Sequence, residues 1–255
     1  MNSSKLVSLL LGSLAVASVS AQIVPFTVDA GNDGFTGWSV GHTSATGSEN
    51  GNFLGGSAPA AMETSGTAGT DVTWGLYANS GQTASLTYDF GGVLPVGGTV
   101  SIDISLGFID SGGTVGIGLQ NSSGVNRFES YYIGGSTDSF KINDDGGQED
   151  VTGPTADFTS ASWNPNDNFQ TIVFTQEASD SYSVTFNGTS ITNSGLTLTD
   201  SDISQLRIFN FNSGPGTSGS NDQFFNNLTV VPEPANATFL VGGMLSLLMV
   251  LRRRA

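Results

Sequence analysis

Apolar residues recur at every second position through much of the chain. The longest run sets Val100, Ile102, Ile104, Leu106 and Phe108 in alternation with Ser101, Asp103, Ser105 and Gly107. A period of two puts one set of side chains in a core and the other in water, which predicts a half-buried β-strand reaching Phe108. Ala84, Leu86, Tyr88 and Phe90 repeat the pattern, as do Val115, Ile117 and Leu119, and then Tyr182, Val184 and Phe186. Leu206 with Ile208 and Leu228 with Val230 are shorter instances. Gly, Asn, Asp and Ser, the residues that turn a chain most readily, fill the gaps. No stretch between them sustains a helical period. About eleven to thirteen short strands at this spacing predict an all-β sandwich or barrel.

The alternating part runs from residue 22 to residue 230 without a dividing linker. Residues 42–71, around Ser57-Ala58-Pro59-Ala60-Ala61, are its least regular part and read as a long surface loop. The Gly/Ser-rich run from Asn212 to Ser220 lies between two strands of one pattern. No repeat of solenoid or propeller length is present, so 22–230 is expected to be one domain.

The two ends have a different character. Residues 1–21 carry Lys5, an apolar stretch from Leu6 to Val16, and the small-residue site Val19-Ser20-Ala21. That order is a secretory signal peptide, with the exported chain beginning at Gln22. At the other end come Val231-Pro232-Glu233-Pro234, then Ala235 to Leu251, then Arg252-Arg253-Arg254. The middle part is at the short end of the roughly 17–25 residues a transmembrane helix needs. The arginines after it belong on the cytoplasmic side, which leaves the body outside the cytoplasmic membrane.

This order of Val-Pro-Glu-Pro, short apolar helix and terminal Arg cluster resembles the PEP-CTERM sorting signal of exported bacterial proteins. The resemblance covers Val231 to Ala255. It implies recognition and cleavage by an exosortase, with Glu233 as the recognition residue. Removal of an apolar tail is physically akin to GPI processing. Pro232 and Pro234 suit that role, because they keep the segment extended and accessible and deny it backbone donors. A simple tail anchor is the alternative.

Composition narrows the chemistry. The 255 residues include no cysteine and one histidine, which excludes a disulfide scaffold, thiol catalysis and Cys-held metals. The formal net charge is -15. Of the 22 acidic residues only Glu233 lies in the terminal segments, whereas of seven basic ones only Arg127, Lys141 and Arg207 lie in the body. Nucleic acid and anionic lipid need clustered Lys and Arg, so both are excluded as partners. The same field repels acidic polysaccharide unless divalent cations bridge the two.

A second resemblance is spread over the body. Trp74-Gly75-Leu76-Tyr77-Ala78-Asn79, the run Ser181 to Gly188, and Asn221-Asp222-Gln223-Phe224-Phe225-Asn226-Asn227-Leu228 are similar to concanavalin A-like jelly rolls. It implies a single antiparallel lectin- or glucanase-like β-sandwich whose first and last strands lie side by side. An immunoglobulin-like sandwich is the alternative.

Candidate chemistry is sparse. His42, in the polar Val40-Gly41-His42-Thr43-Ser44, has no nucleophile elbow to serve and reads as a surface residue. Glycoside hydrolysis needs two carboxylates flanking one bond, and Asp103 and Glu129 each stand alone in their strands. The chain is therefore expected not to be an enzyme. Acidic loops offer more. Asn143-Asp144-Asp145-Gly146-Gly147-Gln148-Glu149-Asp150 and Asp29-Ala30-Gly31-Asn32-Asp33-Gly34 are dense in the oxygen ligands calcium takes. Asp144, Asp145 and Asp150 form one hypothetical calcium set, and Asp29 or Asp33 with Asp222 another. The competing reading is that these residues only make turns. Among aromatics, Trp38 and Trp74 read as core. Trp163, in the turn-rich Ser162-Trp163-Asn164-Pro165-Asn166, reads as an exposed ring for stacking on sugar. Tyr131 and Tyr132 point to opposite faces of one strand, so one of them is expected outside.

These readings converge on an exported, non-catalytic cell-surface or extracellular-matrix protein that binds exopolysaccharide or other glycans. Its expected partners are an exosortase, an extracellular polysaccharide, and the cytoplasmic membrane before processing. A purely structural or adhesive matrix protein is the alternative, and a glycoside hydrolase a distant one.

Overall fold

The alternating segments pair into two antiparallel sheets laid face to face. The computed structural model describes residues 23–42, 49–55, 62, 64–65, 71–79, 81–135, 140–151, 169–193, 196–214 and 223–233. In chain order these hold β1 (Phe26–Val28), α1 (Ala30–Asp33), β2 (Trp38–His42), β3 (Asn50–Gly55), β4 (Thr64–Ser65), β5 (Asp71–Ala78), β6 (Thr83–Asp89), β7 (Thr99–Leu106) and β8 (Thr114–Gln120). Then follow β9 (Asn126–Ile133), β10 (Lys141–Asp144), β11 (Gly147–Asp150), β12 (Gln170–Gln176), β13 (Tyr182–Phe186), β14 (Thr189–Ser190), β15 (Gln205–Phe211) and β16 (Gln223–Val231). The first sheet runs β14-β13-β12-β7-β16-β5-β3, with β1 along β16 and β4 along β5. The second runs β11-β10-β9-β8-β15-β6-β2. Neighbours in space are mostly distant in sequence, as in a jelly roll.

Period two does what the sequence predicts. Val100, Ile102, Ile104 and Leu106 of the first sheet and Val115, Ile117, Leu119, Leu206 and Ile208 of the second face one shared core. Aromatic rings join the layers. Trp38 of the second sheet lies 5.2 Å from Trp74 and 5.4 Å from Phe225 of the first, and Tyr88 beside it lies 5.5 Å from Phe26. Farther along, Phe128 lies 5.2 Å from both Phe174 and Tyr182. Each such pair adds about 0.5–1.5 kcal/mol beyond the area it buries.

Strand β16 ties the ends of the domain together. Its first part pairs with β5 and its last part with β1, with a bulge between Asn226 and Thr229. Beside the bulge Asn226 accepts from the Ala30 amide at 2.9 Å and donates to the Met62 carbonyl at 2.6 Å. First and last strands therefore do lie side by side.

Four expectations need correction. The run through Leu106 does not extend to Phe108, which is 52% exposed, because the chain leaves the sheet at Gly107. Residues 42–71 are not simply loop, since β3 and β4 lie there. The turn-forming Asn50-Gly51-Asn52 extends because the Phe53 ring packs on Gly75 of β5, where a Cβ would meet it at 2.2 Å. The strands flanking 212–220 belong to different sheets. His42 ends an edge strand, partly buried, with Nε2 3.0 Å from Asn52 Oδ1.

Candidate functional site

The most chemically varied surface is the outer face of the second sheet. In β15, Leu206 and Ile208 enter the core, so Gln205, Arg207, Phe209 and Phe211 point away from it. In β8 the same rule turns Thr114, Gly116, Gly118 and Gln120 outward, and in β9 Glu129 and Tyr131. Register aligns them in rows. Arg207 faces Gly118, which faces Glu129; Phe209 faces Gly116, which faces Tyr131. The glycines form a floor between two walls about 10 Å apart, two strand spacings. Both glycines are buried: Tyr131 lies over Gly116, and Glu129 Cγ would be 3.4 Å from a Cβ at Gly118.

On one wall Phe209 and Phe211 stack at 4.9 Å with planes 22° apart. The Arg207 guanidinium lies over both, 5.3 Å from one centroid and 5.2 Å from the other. Burial pulls its pKa below the ordinary arginine value and Glu129 opposes that shift. Arginine nevertheless stays charged. Among the described residues it has no ion-pair partner. The other two body cations do: Arg127 with Asp202 and Asp200, and Lys141 with Asp150.

A chain of side-chain amides crosses the same face. Gln205 Nε2 donates to Gln120 Oε1 at 3.3 Å, and Gln120 Nε2 to Asn126 Oδ1 at 2.6 Å. Asn126 Nδ2 donates to Glu129 Oε1 at 2.5 Å and Asn143 Nδ2 to Glu129 Oε2 at 3.0 Å. Glu129 is thus held in place by two amides. Asp103 lies on the outer face of the other sheet, accepting from Thr171 and Asn227. Two sheet layers separate these carboxylates, so they cannot flank one bond.

The tyrosines do face opposite ways, but neither ring is freely exposed. Tyr132 is 1% exposed in the core, 6.2 Å from Phe140, which removes it as a stacking platform. Tyr131 faces outward and is only 8% exposed, because it packs over Gly116 against the Phe209 row. Burial first, then Glu129 and Asp150, raise its hydroxyl pKa. Trp163 and Asp222 lie outside the described residues.

The acidic loops are held by protein donors. Asp29 caps α1, accepting from the Asn32 amide at 2.8 Å, while Asp33 accepts from the Asp29 amide at 2.9 Å. Asp144 Oδ1 accepts from the Gly146 amide at 2.7 Å, and its Oδ2 from the Tyr182 hydroxyl at 2.7 Å and the Thr197 amide at 3.0 Å. Asp145 accepts from the Thr199 amide. Asp150 sits at the far end of the hairpin, paired with Lys141. Among the described residues no three acidic or imidazole groups gather where they would hold a metal.

At the C-terminal motif β16 runs through Val231, which pairs with Thr99. Pro232 is buried rather than accessible, and the exposed Glu233 lays its side chain over Gly97. Pro234, Arg252, Arg253 and Arg254, with the apolar stretch and residues 1–21, lie outside the described residues. No helix among the described residues is long and apolar enough to cross a membrane.

Alternation of Arg207, Phe209 and Phe211 is visible in the sequence opposite the core residues Leu206 and Ile208. The amide chain is not, because it joins four separated segments.

The two antiparallel sheets define a jelly-roll-like β-sandwich. The T. cruzi calreticulin globular domain shares it at a TM-score of 0.51 and 11% identity, over 90% of this chain and 99% of that one. A Crh5 transglycosylase in complex with NAG shares it at 0.50 and 15%, over 82% and 84%. No family model and no curated protein matches the chain.

Proposed function

We propose that this is an exported, non-catalytic surface or matrix protein that binds glycans on the outer face of its second sheet. The observation that carries the reading is the amide chain from Gln205 to Asn143 across that face, beside the half-buried Arg207. Fixed planar amides and a carboxylate match the hydroxyl groups of a sugar. The Crh5 neighbour in complex with NAG is a fold-level analogy only. Export rests on the N-terminal signal, and sorting by an exosortase on Val231 to Arg254, both read from the sequence.

The test is binding of the full chain, in mild detergent, to a glycan array with calcium and then with chelator. Saturable binding that weakens when Gln120 or Asn143 is replaced by Ala supports the reading. Absence of saturable binding in both conditions overturns it in favour of a structural matrix role. Loss on chelation alone transfers the site to the acidic loops.

A further inference from the structure

Within the proposed glycan face, Arg207 stands apart. Its flat face lies over Phe209 and Phe211, so stacking occupies the π surface of the guanidinium. Its five N–H donors lie in the guanidinium plane, and none has a protein acceptor among the described residues. No Arg207 nitrogen is among the buried polar atoms left without a partner, so the donors reach solvent, where an anion that fits the planar fork can take the place of water. The aromatic underlay also fixes the orientation of the fork before any ligand arrives. Glu129, across the glycine floor, has both oxygens occupied by Asn126 and Asn143.

We propose that Arg207 is a subsite for the carboxylate of an acidic sugar residue, a uronate whose carboxylate meets the guanidinium edge. The inference rests on the glycan-binding reading and names its ligand class. A planar carboxylate meets the fork with two parallel hydrogen bonds. The rest of the body selects against anything more charged. A densely sulfated chain meets one cation and an otherwise acidic surface, whereas an isolated uronate among neutral sugars meets the cation with Glu129 two strands away as the opposing carboxylate. The site also gives acidic polysaccharide a direct contact that needs no bridging divalent ion.

The first comparison uses the unaltered full chain with oligogalacturonate and the same oligomer methyl-esterified, which removes the charge and keeps the sugar. Binding of the acid about ten-fold or more tighter than the ester, unchanged by chelator and weakened by salt, is the expected result. Arg207→Gln removes that preference, and Arg207→Lys, which keeps charge but not the fork, restores only part of it. Thermal unfolding of both variants checks that they fold, and the ester comparison does not depend on them. Equal binding of acid and ester, or array binding to neutral glycans alone, overturns the uronate subsite and leaves the glycan reading standing. Tighter binding of a sulfated oligomer overturns the carboxylate assignment. Acid preference that vanishes with chelator and survives Arg207→Gln overturns it in favour of a bridging cation. No saturable binding to any glycan fells both readings together.

Discussion

Arg127 and Arg207 stand on strands of one sheet with only β8 between them, and their surroundings are opposite. Arg127 is held by Asp202 through two hydrogen bonds of 2.7 and 2.9 Å and lies 3.2 Å from Asp200. Arg207 lies on two phenyl rings with its donors unmatched among the described residues. The first cation is committed to folding. The second is left available, in a body where basic residues are scarce. The acidic hairpin repeats the lesson with the sign reversed. Asp144 and Asp145 look like ligands in the sequence, yet in the fold they fasten the β10–β11 turn to Tyr182, Thr197 and Thr199. Density of charge does not mark these carboxylates as free; their hydrogen-bond partners show them to be committed.

Substitutions sharpen that contrast, beginning with the floor beside Arg207. At Gly116 a Cβ would lie 2.3 Å from the Ser130 carbonyl oxygen, so Gly116→Ala is expected to destabilise by about 3 kcal/mol or to prevent folding. At Gly118 the nearest atom is Glu129 Cγ at 3.4 Å, ordinary contact. Gly118→Ala should leave stability within about 1 kcal/mol and weaken glycan retention by pressing on Glu129 and Asn126 of the amide chain. Equal loss of stability at both positions in chemical denaturation would show that β8 is packed alike along its length. In the hairpin, Asp144→Ala strands the buried Tyr182 hydroxyl and frees two amides, a loss of about 2.5 kcal/mol. Tyr182→Phe removes one hydrogen bond to the same carboxylate, about 1.5 kcal/mol, and should leave glycan binding unchanged. Denaturation curves with binding assays on the same samples read both. A hairpin variant that loses binding without losing stability would return the acidic loop to candidacy.

Legibility followed the same division. Local alternation made β6, β7, β8, β13 and β15 readable, because period two is written in consecutive residues. β3 was hidden: Asn50 to Asn52 carry turn propensity, and their extension depends on Phe53 fitting over Gly75 of β5, 22 residues later. The burial of Tyr131 was hidden likewise, since it depends on Gly116 and Phe209 of two other strands. Of the proposed glycan face, Tyr131 was legible as a candidate and Arg207 as a rare cation. The amide chain was illegible, because residues 120, 126, 143 and 205 meet only through sheet register.

The smallest effect tests the Arg127 side directly. The Arg127 hydrogen bond, against the opposing effect of burial and with help from Asn121, holds the Asp202 carboxyl below the usual carboxylate range. A carboxyl whose pKa is lower folded than unfolded stabilises the fold above its unfolded value, about 3.9, and the contribution fades as pH falls through the folded value. Asp202 is 42% exposed, so screening limits the pair to about 1 kcal/mol or less. Asp202→Asn should therefore lower Tm slightly at neutral pH, and the gap from the unaltered protein should close as pH falls below about 4. A gap independent of pH would mean that Asp202 acts through packing and not charge. Glycan binding should not change with Asp202→Asn, because Arg127 is a structural cation. If binding fell with this variant as it does with Arg207→Gln, the division between committed and available arginine would fail, and the whole second sheet would act as one electrostatic surface.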